Sequence, residues 1–445
     1  MSPHSQPHAR GSERSTGFLA AWTELLHGWQ PRLSRRRGRR PRVPLTDVLA
    51  ALIFHVMQDL GTLGEHFAAL LDDTLADSSL ADRRARLPWE VFADLMRHAL
   101  RPQATRARHP EAFWRRWRLV ALDGTQWSLT NTPQVGRQLH KARTRRGRAA
   151  FAKLRTAVLL ELGLHNPLAA AIGRRDESEW ALALRLLAQL PGHALVLADR
   201  LYGCAGFAAR LHAACQRVQS HFLVRAQTVV KGRVIEQLPD GSRVLEVAVQ
   251  PRHRPTPATR TLTVREIRVQ VGRPGQRATT LRLWTSLLAP TAASALELAR
   301  LYAQRWEHEL YFREVKRQLR RTALLQSHTL ETGAQEIAAI VVASALLAAE
   351  RVRAANGELP VLRVSFAKLL HMIQAVWFTL EMLRGVVTDA QARKVMTHCY
   401  KQLQDHPTAE RRARSCPRAV RQPIAGWPRL MKRTSVEGPF EFTLV

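Results

Sequence analysis

Zones with different hydrophobic patterns follow one another along the chain. Residues 17–105 place apolar side chains at helical spacing, as in Trp89–Leu100, which predicts a small all-α region. The middle zone has short, continuous apolar runs, which are typical of buried strands. From residue 291 the pattern is helical again, with a buried helix over Ile337–Ala349 and a further helix over Leu362–Met382. A strand-rich centre between helical N- and C-terminal regions is therefore predicted.

The central zone alternates strands and helices in a definite order. Apolar runs and turn residues predict the sequence β-β-β-α-β-α-β, which is an α/β arrangement. The segments are Leu119–Leu122, Thr156–Leu164, Pro167–Gly173, a helix over Ser178–Leu190, His193–Gly203, the helix FAARLHAACQR, and His221–Ala226. Residues 227–290 then alternate short apolar and polar stretches between Gly and Pro, which predicts antiparallel strands.

Two aspartates share one sequence context. Asp123 ends the run VALD and Asp199 ends the run VLAD, so that each is predicted to leave a buried strand just before the chain turns. A carboxylate at such a place is costly unless it is compensated, and a divalent metal ion compensates it. Oxygen ligands of this kind suit Mg²⁺. Alternatively, each aspartate caps a turn.

The net charge of +32 predicts a polyanionic partner, of which nucleic acid is the commonest. A membrane is a weaker candidate, because the longest strongly apolar run, Ile337–Ala349, is too short to span a bilayer and Met1–Ser15 lacks the apolar core of a signal peptide. Of 68 basic residues 60 are Arg, which suits phosphate binding but also follows from a GC-rich coding bias. A dense block of arginines is predicted to contact the DNA backbone; it consists of Arg35, Arg36, Arg37, Arg39 and Arg40. The alternative is that this segment is a solvated basic linker.

The segment YAQRWEHELYFREVK, residues 302–316, contains three glutamates. On one long helix that turns about 100° per residue, Glu309 shares a face of about 60° with Tyr302, Arg305 and Lys316. This face borders an apolar stripe that is predicted to face the core. Glu307 and Glu314 fall on the opposite side and are predicted to be solvated. Helical phase thus favours Glu309 as a metal-binding carboxylate, although a random mixed-charge helix could show the same pattern.

The spacing of Tyr302, Arg305, Glu309 and Lys316 resembles the Y-x2-R-x3-E-x6-K signature of bacterial insertion-sequence transposases, specifically the insertion element four family of the DDE superfamily. Further motifs resemble the family in the same order: LDGT (122–125), FAKLR (151–155), Ser178-Glu179, LADRLY (197–202), HFLVR (221–225) and TSL (285–287). The resemblance covers about residues 115–325 and is specific because several motifs agree.

The resemblance implies an RNase H-like catalytic core, a mixed five-stranded sheet with helices interrupted by a β-strand insertion. The implied organisation is a basic helical DNA-binding region (1–112), the first part of the core (113–226), the β-rich insertion (227–290), the second part of the core with the catalytic helix (291–350) and a helical C-terminal region with a loose basic tail (351–445). Asp123, Asp199 and Glu309 take the places of the family's catalytic metal ligands. Tyr302, Arg305 and Lys316 are implied to contact phosphates of the transposon ends.

The implied activity is transposition of DNA in a bacterial cytoplasm, in association with the nucleoid. Two Mg²⁺ ions, or Mn²⁺ as a substitute, are the implied cofactors. The implied partners are double-stranded transposon ends, target DNA and a second copy of the chain, with no membrane. Well-studied relatives use a hairpin with a base held against a Trp, whose expected position here is Leu281, with Trp284 nearby. The alternatives are an inactive or domesticated DNA-binding protein and a nuclease without strand transfer.

Overall fold

A computed structural model describes residues 16–31, 43–144, 147–249, 260–272, 278–320, 322–409 and 441–444. The predicted DNA-contacting arginines, Arg35–Arg40, lie outside the described residues. The helices within these ranges are α1 (Phe18–Leu25), α2 (Leu45–Met57), α3 (Leu63–Leu71), α4 (Asp77–Ala85), α5 (Trp89–Ala99), α6 (Pro133–Gln138), α7 (Glu179–Leu186), α8 (Ala205–Arg217), α9 (Ala295–Tyr302), α10 (Trp306–Glu314), α11 (Leu330–Ala355), α12 (Phe366–Met382) and α13 (Asp389–Asp405).

The strands carry the central part of the fold. They are β1 (Phe113–Trp114), β2 (Trp117–Leu129), β3 (Arg143–Thr144), β4 (Gly147–Arg148), β5 (Lys153–Glu161), β6 (Asn166–Ile172), β7 (Ala194–Ala198), β8 (His221–Arg225), β9 (Arg233–Gln237), β10 (Arg243–Val249), β11 (Arg260–Gly272), β12 (Thr279–Thr285), β13 (Leu324–Leu325) and β14 (Glu441–Leu444). The long segments from β2 to β8 follow the predicted order β-β-β-α-β-α-β, which confirms that prediction.

The chain folds into two compact units that share strand β2. Unit 1 contains residues 1–112, 124–189 and 308–407, and unit 2 contains residues 113–123, 190–307 and 408–445. In unit 1 the strand order is β6-β5-β2, with β5 and β6 antiparallel. In unit 2 it is β2-β7-β8-β12-β11-β10-β9, with β2, β7 and β8 parallel. Strands β2, β5, β6, β7 and β8 thus form the mixed five-stranded sheet with flanking helices that an RNase H-like core requires.

The predicted β-strand insertion is present in unit 2. Strands β9 to β12 pair as antiparallel neighbours, and β12 joins them to β8. One face carries the Glu266 carboxylate, which is fully buried and accepts hydrogen bonds from Arg243, Arg268 and Arg282. Burial alone would raise the pKa of Glu266, but the hydrogen bonds from Arg243, Arg282 and Trp284 outweigh it, so that the pKa is lowered. The domain boundaries proposed from the sequence stay predictions.

Strand β2 differs from its prediction in length. The sequence predicted a short strand that ends at Asp123, whereas β2 runs on from Trp117 to Leu129. Its first half pairs with β7 in unit 2, and its second half pairs with β13 in unit 1 through Ser128. The prediction was wrong because the turn residues of DGT look like a stop, while partners distant in the sequence extend the strand.

Helix α11 is the central helix of unit 1. It contains 26 residues, twice the length of the apolar run Ile337–Ala349 by which it was predicted. Within the described chain it is the one helix long and apolar enough to cross a membrane, yet 89% of its most apolar window is buried inside the protein. Burial by neighbouring protein, which includes α2 and β6, therefore accounts for its apolar character. The prediction of a buried helix at this place is confirmed.

Replacement of Gly203 by alanine is expected to destabilise unit 2. A Cβ atom there would lie 1.9 Å from the carbonyl oxygen of Arg225, which is backbone that β8 holds in register with β12. Overpacking of this kind costs about 1–3 kcal/mol or more in the free energy of unfolding. Urea unfolding of the variant measures it. Gly206→Ala is the matched control, because a Cβ atom there meets nothing within 4 Å and alanine favours helix α8. Equal stability of the two variants would contradict the expectation.

Candidate active site

Asp123 and Asp199 are brought together in unit 2 at the point where the parallel ladder between β2 and β7 ends, within β2 and just after β7. Leu122 of β2 and Ala198 of β7 are partners in the ladder, and each aspartate is the next residue of its strand or turn. Neighbouring strands lie about 4.8 Å apart, so the two carboxylates start from adjacent backbone positions. Both residues are partly exposed, although the strands before them are buried. Paired carboxylates at one edge of a sheet are therefore available to solvent and ligands.

Asp199 also caps the turn that follows β7. Its Oδ1 accepts a hydrogen bond from the backbone N–H of Leu201 at 2.7 Å. The turn-capping interpretation is thus correct for this oxygen. An ionised carboxylate has about four acceptor sites, so that the same side chain can hold its turn and bind a cation. The cap fixes the carboxylate at the strand end, which is what a preorganised ligand needs.

Arg305 and Tyr302 approach the aspartates from the end of helix α9 and the 3₁₀ turn at residues 303–305. Nη1 of Arg305 lies 3.4 Å from Oδ2 of Asp123, and both side chains are 15% exposed. The hydroxyl of Tyr302 donates to the carbonyl oxygen of Ala198 at 3.1 Å. Burial raises the pKa of Tyr302 well above its usual value, so that the phenol stays neutral. Tyr302, Arg305 and the two aspartates therefore belong to one cluster in unit 2.

The helical run from residue 295 to 319 changes its geometry along its length. Helix α9 passes into the 3₁₀ turn, then α10, and then a π-helical turn at residues 315–319. The prediction of one helix with a constant 100° step was therefore wrong, because 3₁₀ and π turns rotate the chain by different amounts per residue. Glu309 lies half-buried on α10 and belongs to unit 1.

Glu314 is buried, which corrects the prediction that it is solvated. It is 7% exposed, and its carboxylate binds two partners: Nδ1 of His165 at 2.6 Å and Nη1 of Arg351 at 3.3 Å. Arg351 lies on α11, so the last residue of α10 contacts the central helix of unit 1 through this ion pair. Glu314 thus has a structural partner set, whereas Glu307 and Glu309 remain partly exposed.

Lys316 lies in the π turn and faces strand β2. Its ammonium group donates to the carbonyl oxygen of Gln126 at 2.6 Å and lies 5.1 Å from the ring centre of Trp127. Its pKa is lowered to about 8, first by burial and then by the charges of Arg320 and Lys153. These neighbours were not predicted from the sequence. The position of Arg320, four residues after Lys316, was the available signal, because such a pair lies on one helical face.

The fit of a divalent metal rests on the aspartates. No group of three or more His, Cys, Asp or Glu side chains that could hold a metal ion occurs among the described residues. Asp123 and Asp199 nevertheless offer only oxygen ligands, and Mg²⁺ is commonly bound by one or two carboxylates, with water and phosphate as the remaining ligands. The adjacent pair therefore fits this ion. The assignment of Glu309 as a third ligand stays a prediction.

Trp284 is unsuited to base stacking in this conformation. Its side chain is fully buried, its indole N–H donates to Glu266 at 3.1 Å, and Arg282 covers its ring. Leu281, the expected position of a stacking Trp, pairs with Val269 within the insertion. An aromatic residue that stacks on an extruded base stays unassigned.

Comparisons with known proteins identify the family of the chain. The family profile described as "Transposase DDE domain" matches residues 91–346, more than half of the chain. The chain is 25% identical to the transposase InsG for insertion sequence element IS4 of Escherichia coli (strain K12) over 377 residues, which are 81% of this chain and 80% of that protein. It is 27% identical over 195 residues to the putative transposase InsZ of the same organism, over 43% of this chain and 60% of that protein.

One solved structure is similar over most of its length. It is the cryo-electron microscopy structure of a piggyBac transposase synaptic complex with hairpin DNA, with a TM-score of 0.39 and 10% identity, covering 88% of this chain and 83% of that one. This likeness is too weak to carry the fold assignment, which rests on the strand order above. The match of the family profile over more than half of the chain shows that the chain belongs to the DDE transposases, and the transposase of insertion sequence element IS4 is one of its relatives.

Proposed function

We propose that the chain binds the terminal inverted repeats of an insertion sequence, cleaves the transposon ends and joins the freed 3′-OH to target DNA. The observation that carries the proposal is the placement of Asp123 and Asp199 directly after the last pair of the parallel ladder between β2 and β7, in a member of the DDE family. The E. coli relative InsG is the transposase of an insertion sequence element, which supports the choice of substrate.

We assign the metal-binding role to Asp123, Asp199 and Glu309, with two Mg²⁺ ions or Mn²⁺ in their place. Bound divalent ions would lower the pKa of the attacking water or 3′-OH and stabilise the leaving oxygen. Asp199 is held in its orientation by the hydrogen bond from the Leu201 N–H, and Arg305 forms an ion pair with Asp123.

The remaining signature residues are assigned to DNA. Tyr302, Arg305 and Lys316 are proposed to contact phosphates of the transposon ends, the two cations by charge and Tyr302 through its hydroxyl, which donates to the carbonyl oxygen of Ala198 in this structure. The charge of +32 favours DNA as the partner and a nucleoid-associated place in the bacterial cytoplasm. A homodimer is proposed because transposition joins two ends, and the arginines Arg35, Arg36, Arg37, Arg39 and Arg40 are proposed to contact backbone phosphates.

Two alternatives lead to different products. An inactive or domesticated protein would bind the ends without cutting them, and an RNase H-like nuclease would cut them without joining. The presence of both aspartates, side by side on β2 and after β7, favours an active enzyme over the first alternative. Inverted repeats in the DNA that flanks the gene would favour a transposase over the second.

A mini-transposon assay separates these functions. The purified chain is incubated with Mg²⁺, a linear DNA that carries the flanking inverted repeats, and a supercoiled target. We expect cleaved ends and end–target joints, both of which EDTA abolishes. A matched DNA with scrambled repeats is the control. End binding without cleavage would support the inactive protein, and cleavage that never yields joints would support the nuclease.

A further inference from the structure

Arg320 has buried N–H groups in the interior of unit 1 that find no hydrogen-bond partner among the described residues. It follows the π-helical turn that contains Lys316, and only 9% of its surface is exposed. Its Nε and Nη2 atoms are buried and have no hydrogen-bond partner among the described residues. A buried, charged donor without an acceptor is costly, and such groups in native proteins usually have a partner. The buried N–H groups of Arg320 therefore indicate a ligand that supplies hydrogen-bond acceptors.

Arg320 and Lys316 lie on the same aromatic ring. Cζ of Arg320 is 5.6 Å and Nζ of Lys316 is 5.1 Å from the ring centre of Trp127. The ring is fixed, since it is 2% exposed and its indole N–H donates to Oγ1 of Thr156 at 3.1 Å. Cation–π attraction offsets part of the cost of burying each cation. It does not remove the repulsion between them.

A third cation, Lys153, interacts electrostatically with Lys316. Lys153, at the exposed start of β5, contributes with Arg320 to lowering the pKa of Lys316. Burial also lowers the pKa of Arg320, against the opposing effect of the Glu336 carboxylate. That carboxylate already accepts hydrogen bonds from Gln326 and Ser327. The three cations thus form a site of positive charge that Glu336 compensates in part.

We propose that Lys316, Arg320 and Lys153 together bind one phosphate of a DNA backbone beside Trp127, so that Arg320 and Lys153 are DNA-binding residues in addition to the lysine of the family signature. A backbone phosphate brings one negative charge and several acceptor oxygens. The guanidinium presents N–H groups in a planar fork, and the ammonium acts as a point charge, which together match that ligand. The inference rests on the proposed function, because it takes DNA as the substrate.

Access requires a small movement of Arg320. Turning the guanidinium toward a phosphate breaks no hydrogen bond at Nε or Nη2, because these atoms have none among the described residues. Lys316 donates one of its three protons to Gln126 and keeps two for other acceptors. The alternative is that Arg320 only packs on Trp127 and has no role toward DNA.

The test is the salt dependence of binding by the full-length chain to a short duplex DNA of mixed sequence. Each phosphate contact contributes about 0.9 to the slope of log K against log salt concentration. We expect Arg320→Gln to lower the slope by about this amount and Arg320→Lys to preserve it. Arg317→Gln is the matched control: this exposed arginine lies on the same π turn, and the variant loses the same charge. Its slope is expected to equal that of the wild type.

Thermal unfolding separates the two roles of Arg320. If Arg320 only packs on Trp127, Arg320→Gln lowers the melting temperature and leaves the slope at the wild-type value, which would overturn the inference. An equal fall in slope for Arg317→Gln would also overturn it, because the effect would then reflect net charge alone. Absence of any duplex binding by the wild type would instead refute the proposed function.

The pH dependence provides an independent measurement. The lysine is charged below its pKa of about 8 and neutral above it, so its contribution to binding is present at pH 7 and is lost as the pH rises through about 8. Bound phosphate shifts this loss to higher pH, because it stabilises the charged form. We expect a smaller salt slope at pH 9.5 than at pH 7 in the wild type and no such change in Lys316→Gln. Identical pH profiles of these two proteins would contradict the assignment.

Discussion

Asp199→Asn is expected to abolish cleavage of transposon ends while the protein stays folded and binds DNA. The amide oxygen of asparagine can still accept the hydrogen bond from Leu201 N–H that Asp199 accepts at 2.7 Å. What the variant loses is the negative charge, which a divalent ion requires. If metal binding contributes several kcal/mol to the transition state, the cleavage rate falls on the order of 10³-fold or more. Single-turnover cleavage of a labelled end measures this rate.

Asp199→Asn distinguishes metal binding from turn capping, because it removes the charge that a metal needs and keeps the acceptor that caps the turn. Cleavage at the wild-type rate by Asp199→Asn would show that the residue caps a turn and does no more. Asp123→Asn tests the partner on β2 and is expected to lose cleavage to a similar degree. Urea unfolding and duplex binding of both variants serve as controls, since a loss of either would indicate misfolding.

The sequence was sufficient for the part of the fold that depends on local hydrophobic pattern. Short apolar runs gave the order of strands and helices from β2 to β8, because buried parallel strands are nearly continuous in Val, Leu and Ala. The adjacency of Asp123 and Asp199 also follows from pattern once their strands are parallel neighbours, because the runs VALD and VLAD then lie in register and the residue before each aspartate pairs with the other.

Features that depend on residues far away in the chain could not be predicted from the sequence. Strand β2 continues past Asp123 because residues from β13 pair with it, more than 190 positions later in the chain. Glu314 is buried because His165 and Arg351 lie opposite it, and nothing in YAQRWEHELYFREVK indicates either residue. The argument from helical phase assumed a constant rotation of 100° per residue, whereas 3₁₀ and π turns interrupt the α-helical period on both sides of Glu309.

Glu314→Ala is expected to lower the free energy of unfolding by about 3–5 kcal/mol, which is the usual effect of removing one partner from a buried ion pair. The variant leaves Arg351, whose side chain is 4% exposed, without this counter-charge and leaves Nδ1 of His165 without its carboxylate acceptor. Urea unfolding measures the loss. A double-mutant cycle with Arg351→Ala isolates the coupling between the two side chains, because Arg351 also donates to the carbonyl oxygens of Leu362 and Val364.

Comparing Glu314→Ala with Glu309→Gln and Glu307→Gln, in both stability and cleavage, identifies the catalytic glutamate. Both Glu309 and Glu307 are partly exposed, so these variants are expected to change the unfolding free energy by roughly 0.5 kcal/mol or less. Loss of cleavage in Glu309→Gln at unchanged stability, with normal cleavage in Glu307→Gln, would assign catalysis to Glu309. Glu314→Ala would also lose cleavage, but through unfolding of the turn that holds Lys316 two residues later. Activity alone therefore cannot identify the catalytic glutamate, whereas activity and stability measured together distinguish the three glutamates. A stable but inactive Glu314→Ala variant would contradict the structural role of Glu314.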